Sequence, residues 1–388
     1  VSALVTVKHG FEPHIMAYEA IGSVFVDDAK GKKILIKPNA GRKGTAKSAL
    51  CTNPEIIRGL IRFFKARKAG KIFVGDGALT GINVWEAMET AGITAVCQEE
   101  GAILVNLDDC APIDKEIPNG TMVNKLRFCS LVFEADIVVS VPVIKTHMYT
   151  GVTLSIKNMK GCLLKREKMI LHRIDKPCPD DSKGRCLDWG IADMASVLLP
   201  DYSVMDGTIC MEGFGPSAGT QINLDLVVAS KDPTAADYVG VMLMGMPYNS
   251  ISHINLVQER CGTAGIDDIE VEPADYMKYS KKFVPSDLST LPNIYPNIGL
   301  LEKGTCSACS AGAMMFLKAH GHKFDKEFKF TIATGRDLTP EDSAREDVYL
   351  IGNCTAGSAR GKKYCKGCPP IGSSMLAFIN GEEQEEED

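Results

Sequence analysis

The sequence predicts an α/β protein: a Rossmann-like, mostly parallel sheet with a second α/β lobe that carries a cysteine cluster. Three observations predict it. Ala135 to Val143 (ADIVVSVPV) is a valine-rich run of the kind that forms a strand buried on both faces. Strand-like and helix-like segments alternate along most of the chain, which is the grammar of βαβ units with right-handed crossovers. Five of the fourteen cysteines crowd into the last quarter, as CxxC, a lone Cys and CxxC.

The elements follow in order. Lys32 to Pro38 (KKILIKP) reads as a short strand closed by proline. Asn53 to Lys68 reads as a helix behind an Asn-Pro start, with Ile56, Ile57, Leu60, Ile61 and Phe64 at helical spacing. Gly70 to Val74 is a strand running into the Gly75-Asp76-Gly77 turn, followed by a helix over Asn83 to Ala91 stopped by Gly92, and a strand over Ala102 to Leu107. Between Cys162 and Leu187 the chain is rich in Lys, Arg, Asp and Pro, which predicts a long excursion. Tyr202 to Met205 leads into Asp206-Gly207, Met211 to Gly219 (MEGFGPSAG) reads as a glycine-rich loop, Leu224 to Ser230 as a strand and Pro233 to Met244 as a helix. Thr305 to His320 and Pro370 to Ile379 read as helices, Lys329 to Thr334 and Asp347 to Ile351 as strands.

Length and composition bound the function. The chain has 388 residues, 45% of them hydrophobic, enough for full-sized cores. The expected organisation is an α/β core over residues 1–290, a cysteine-bearing segment over 291–380 and an acidic, disordered tail over 381–388. A formal charge of −6, spread thinly and with its only acidic run in the tail from Gly381 to Asp388, argues against nucleic acid as a partner. No apolar run reaches the roughly 18 residues of a membrane span, and the start lacks a signal pattern, so the expectation is a cytoplasmic protein with no membrane partner.

Cys97, Cys129 and Cys210 lie beside apolar residues and read as small core side chains. Cys306, Cys309, Cys354, Cys365 and Cys368 read as a metal site, because clustered CxxC pairs in a reducing compartment mean metal more often than disulfide. Both pairs are expected at helix starts, where N–H groups and the helix dipole favour thiolates. Four thiolates suit a [4Fe–4S] cluster or zinc; the Cys368-Pro369 step favours iron. Five is one more than either needs, and Cys365 or Cys309 is the expected spare.

A second site is expected where the run Ala135 to Val143 ends. Ile144 to Cys162 holds three lysines and one histidine, with no acidic residue, in nineteen residues. Strand carboxyl ends are where open α/β sheets bind ligands. Lys145, His147 and Lys157 are the candidate catalytic residues, and Lys37, Asp76, Lys160, Gly213 and Gly215 are candidate substrate-binding residues. The lysines would neutralise a carboxylate or phosphate, His147 would move a proton near neutral pH, and the two glycine N–H groups would complete the pocket. The competing reading puts the lysines on solvated loops. Asp206 with Glu212 reads as turn chemistry rather than a metal pair.

ILIKPNA (34–40), ADIVVSVPVIKTH (135–147), TLSIKNMKG (153–161), MEGFGP (211–216) and SKDPTAADYVG (230–240), with Gly352 to Cys354 and Gly367 to Pro370, resemble the DUF362 family, a domain of unknown function sometimes fused to iron–sulfur modules. The resemblance implies no assigned reaction. A fainter similarity joins His147, Lys157 and His172 to the catalytic domain of lactate racemase, whose nickel pincer cofactor is tethered to a lysine. That domain has a histidine in an earlier loop, whereas Val74 to Gly81 has none, so a nickel-pincer nucleotide is not expected. The functional expectation is an iron–sulfur oxidoreductase or lyase acting on a small anionic substrate. Its rivals are a non-catalytic electron carrier with a redox partner protein, and a racemase-like isomerase.

Overall fold

The computed structural model describes residues 2–79, 81–174, 176–286 and 294–382. The expected boundary at 290 and most of the acidic tail, 383–388, lie outside the described residues. Contacts divide the chain into two units: Val1–Leu171 with Lys176–Ser286, and His172–Asp175 with Asp287–Asp388.

The first unit is built on β1 (Ala3–His9), β2 (Lys33–Pro38), β3 (Lys71–Asp76), β4 (Ile103–Asn106), β7 (Ile137–Val141), β8 (Val143–His147), β9 (Gly151–Thr153), β10 (Tyr202–Glu212), β11 (Thr220–Ser230) and β12 (Ile269–Glu272), with a separate hairpin of β5 (Pro112–Glu116) and β6 (Lys125–Cys129). The main path runs β12-β1-β11-β10-β7-β2-β3-β4. From β10 to β4 every neighbour is parallel; β11 is antiparallel to both β1 and β10, so the sheet is mixed and mostly parallel.

Alternation along β2 and β7 shows why the runs are apolar throughout. Ile34, Ile36, Ile137 and Val139 enter one core with the helices Pro13–Val24 and Pro54–Ala66, while Leu35 and Val138 enter another with Ile156, Met159 and the helix Cys186–Ala195. Both faces are covered, as a parallel sheet requires. By the same alternation Lys37 follows Leu35 onto the second face. Asn53 caps the helix Pro54–Ala66 through the Glu55 N–H, as the Asn-Pro start predicts.

Several boundaries differ from the sequence reading. Ala135 to Val143 is not one strand: the chain breaks at Pro142, whose carbonyl accepts from the Asp206 N–H, and resumes as β8 farther along β10. Lys145 and His147 therefore lie within this second strand, just beyond the carboxyl end of β7, instead of leaving a strand end. Asp206-Gly207 is interior to β10, where a register shift follows Gly207. Gly92, at φ +82°, stops one helix and also starts another, Ile93–Glu100, which the sequence reading lacks. The excursion after Cys162 contains the 3-10 helix Lys165–His172 and a Cys178–Cys186 disulfide. Cys97, Cys129 and Cys210 are buried.

The second unit carries a parallel sheet in the order β13 (Ile298–Glu302), β14 (Phe330–Thr334), β15 (Val348–Ile351) and β16 (Tyr364–Cys365), with the helices Ser307–His320 and Gly372–Ile379.

Candidate functional site

Lys37 and Asp76 end β2 and β3 side by side and form an ion pair of 2.6 Å with both side chains almost wholly buried. The Lys37 ammonium also donates to Asn158 Oδ1 at 3.1 Å and to the Pro38 carbonyl at 3.0 Å. Asp76 accepts from the backbone N–H groups of Ala40 and Gly77, each at 2.8 Å. Gly161 makes this packing possible: a Cβ there would lie 2.3 Å from Asp76 Oδ1 and 2.7 Å from Lys37 Nζ. The turn after the helix Ser155–Asn158 thus closes directly on the pair.

The other lysines are placed differently. Lys145, 2% exposed, donates to Asn39 Oδ1 and to the Leu50 carbonyl. Burial pulls its pKa down to about 8, against partial relief from Cys51 and with Arg42 opposing its charge. Lys157 is buried and donates to the Thr150 hydroxyl at 2.7 Å; burial, then Lys160, hold its pKa well below the usual lysine range. Lys160, half-buried, is brought to about 7 by desolvation and then by Lys168. Lys168 is paired with Asp108. Among the described residues, neither Lys145, Lys157, Lys160 nor Arg42 has a carboxylate at ion-pair distance. The Cys51 thiol, beside Lys145, is pushed up to about 11 by burial.

His147 Nδ1 accepts from the N–H groups of Tyr149 at 3.0 Å and Thr150 at 3.3 Å. In the neutral ring the proton therefore sits on Nε2, which makes that nitrogen a donor. Gly213 and Gly215 do not offer open N–H groups: Gly213 donates to the Val284 carbonyl and Gly215 to the Gly213 carbonyl, each at 2.7 Å. Asp206 and Glu212 serve separate backbone partners, Asn53 and Val284.

The sequence reading lacks Arg42, Asn39, Asn158 and Asp237. Asp237 accepts from Ser155 and Ile156 N–H groups and so fixes the start of the helix that carries Lys157 and Asn158; burial raises its pKa to about 8. Its signal was present in SKDPTAADYVG, where an acid stands within a helix that is buried almost throughout.

In the second unit, Cys306 precedes the helix Ser307–His320 as its N-cap residue. A hydrogen bond from Cys309, with the Cys309 and Ala308 N–H groups, holds Cys306 below the usual thiol range, and the same contact raises Cys309. Cys354 and Cys368 add their charge to Cys309, and burial, then Cys306 and Cys368, raise Cys354. Cys365 is buried in β16 rather than at a helix start. Cys354 stands in the 3-10 turn Asn353–Gly357, and the Cys368 carbonyl accepts from Arg173 at 3.0 Å. His172 Nδ1 lies 2.8 Å from Ser307 Oγ. The donor set suits a thiophilic metal. Among the described residues, however, no three His, Cys, Asp or Glu side chains stand at the distances a metal ion requires, so the thiols are gathered without being closed into a ligand shell.

Comparison with known proteins places the chain. The model of the DUF362 family, described as a domain of unknown function, matches residues 34–242, more than half of the chain, and the protein belongs to that family. A thylakoid-associated protein of Synechocystis sp. is 25% identical over 232 residues, 60% of this chain and 68% of the relative. The lactate racemase apoprotein from Thermoanaerobacterium thermosaccharolyticum aligns over 88% of this chain and 75% of its own, at 11% identity and a TM-score of 0.40. Among the described residues, no helix is long and apolar enough to cross a membrane.

Proposed function

For this DUF362 member we propose an enzyme of the oxidoreductase or lyase class that binds a small anionic substrate beyond the carboxyl end of β2, where Lys145 of β8 reaches Asn39. The observation that carries the reading is the set of buried ammonium groups without acids: Lys145 and Lys157, with Arg42 and Lys160 adding to their fields. Buried like charges are costly and call for a counter-ion. Lys37 is already satisfied by Asp76, so it shapes the site more than it binds. Lys145 and Lys160, with pKa values of about 8 and about 7, can exchange protons near neutral pH, and His147 Nε2 supplies a further donor.

The cysteines Cys306, Cys309, Cys354 and Cys368 would hold a [4Fe–4S] cluster, or zinc; a cluster would supply one-electron transfer. Their half-exposed members, Cys306, Cys354 and Cys368, also suit the second reading, an electron carrier that meets a redox partner protein. A nickel-pincer isomerase has no support in the β3 loop, where Asp76 is spent on Lys37. A cytoplasmic location is part of the proposal, and the name of the Synechocystis relative adds peripheral association with a thylakoid as its alternative.

The test is titration with oxalate and with inorganic phosphate by calorimetry. One of them should bind, more weakly at high salt, and Lys145→Ala or Lys157→Ala should weaken it about tenfold or more, as for a charge-assisted hydrogen bond. Absence of binding to either, or equal binding in both variants, overturns the anion site.

A further inference from the structure

One covalent link in the first unit has no part in the chemistry proposed above. Cys178 and Cys186 form a disulfide, whereas the other twelve cysteines are free thiols. Residues 176–185 form neither helix nor strand, and most of them are exposed. The Lys183–Glu259 pair that ties this stretch down at 2.8 Å is solvated and contributes little, and the Trp189 indole N–H reaches the Asp180 carbonyl at 3.3 Å. Against these the S–S bond is the strongest restraint on the segment.

The segment ends on Arg185, which precedes the helix Cys186–Ala195 and reaches a distant turn. Its Nη1 donates to the Tyr149 carbonyl at 3.0 Å, and its guanidinium carbon stands 5.2 Å from the centre of the Tyr149 ring. Tyr149 lies between β8 and β9, in the turn whose Tyr149 and Thr150 N–H groups donate to His147 Nδ1. The Thr150 hydroxyl of that turn also accepts from Lys157. An unbroken line of contacts therefore joins the S–S bond, through Arg185, to His147 and Lys157.

We propose that Cys178–Cys186 is a redox switch of the β8–β9 turn and, resting on the anion-site reading above, a regulator of that site. Oxidised, it holds Arg185 on the turn; reduced, it releases Arg185 and loosens the turn that positions His147 and the Lys157 partner. Two features suit the bond to reduction. In a compartment that keeps thiols reduced, a half-exposed disulfide beside twelve thiols is of the redox-sensing kind. Cys186 is also the first residue of a ten-residue helix, where free N–H groups and the dipole stabilise a thiolate leaving group. A thiolate of an external dithiol attacks Cys178 Sγ, the S–S bond breaks and Cys186 departs as the thiolate. The second thiolate of the reductant then displaces Cys178 from the mixed disulfide, so two electrons enter the protein and the dithiol becomes a cyclic disulfide.

The experiment is hydrogen exchange read by mass spectrometry on the full chain, before and after treatment with dithiothreitol, with calorimetric titration of oxalate and inorganic phosphate in both states. Thiol titration in denaturant should rise from twelve to fourteen on reduction. Reduction should speed exchange about tenfold or more over 176–189 and over 148–151, and should weaken anion binding about fivefold or more. The double variant Cys178→Ser, Cys186→Ser should behave as the reduced protein with or without dithiothreitol, and Arg185→Met should loosen 148–151 with the disulfide intact. Fourteen thiols before reduction, unchanged exchange over 148–151, or a double variant that still responds to dithiothreitol overturns the switch. Faster exchange with equal anion affinity in both states overturns the regulation. If neither state binds oxalate or phosphate, the anion-site reading fails and regulation of it with it, while the exchange rates still decide whether the disulfide governs the turn.

Discussion

Asp76→Asn should be among the most damaging single-atom changes in the first unit. The substitution keeps the size of the side chain and an oxygen for the Ala40 or Gly77 N–H, but leaves the Lys37 ammonium, 1% exposed, with only Asn158 Oδ1 and the Pro38 carbonyl. Removing one partner of a buried pair costs about 3–5 kcal/mol, because the remaining charge is neither solvated nor paired. Lys37→Met should cost less: the Asp76 carboxylate keeps two backbone N–H donors. The assay is urea denaturation followed by tryptophan fluorescence, which isolates this unit because both tryptophans, Trp85 and Trp189, belong to it. With a slope of about 3 kcal/mol per molar urea, the midpoint should fall by about 1–1.7 M for Asp76→Asn. A midpoint within about 0.3 M of wild type, or a larger loss for Lys37→Met, would refute the view that Asp76 is the counter-charge on which Lys37 depends.

Four further outcomes are expected. Affinity for oxalate should fall as pH rises through about 7 and about 8, where Lys160 and Lys145 lose their protons; calorimetry across that window giving a flat or rising affinity would count against the site. The linked stability has the opposite slope: because the Lys145 pKa is lowered from 10.5 to about 8 on folding, the unfolded chain holds more protons between those two values, so the unliganded protein should gain stability as pH climbs from about 8 to 10.5. Gly161→Ala should destabilise by about 1–3 kcal/mol through overpacking, since its Cβ would fall on Asp76 and Lys37; an unchanged urea midpoint would disprove that close approach. After anaerobic reconstitution with iron and sulfide, Cys354→Ser should lose the cluster absorbance while Cys365→Ser keeps it, and equal loss in both would return Cys365 to the ligand set.

Periodicity and punctuation made the α/β class, the strands Lys33–Pro38 and Phe330–Thr334 and the helices Pro54–Ala66 and Ser307–His320 legible before any coordinates, because each is set by neighbours within a few residues. Local pattern could not reveal that β11 returns antiparallel to β10, that Pro142 divides a continuous valine-rich run into β7 and β8, or that Gly92 opens a second helix while closing the first; each depends on which distant strand or helix takes up the freed backbone groups. The candidate lysines could be chosen by type and by position near strand ends. Their division of labour could not: Lys37 is neutralised by Asp76, Lys145 rests on Asn39 and Leu50, and the Gly213 N–H group is consumed by the Val284 carbonyl, pairings that join residues tens to more than a hundred positions apart. Residue type fixes what a group can donate, accept or ionise, whereas burial and partners, which only the folded chain supplies, decide which of those capacities is left to act.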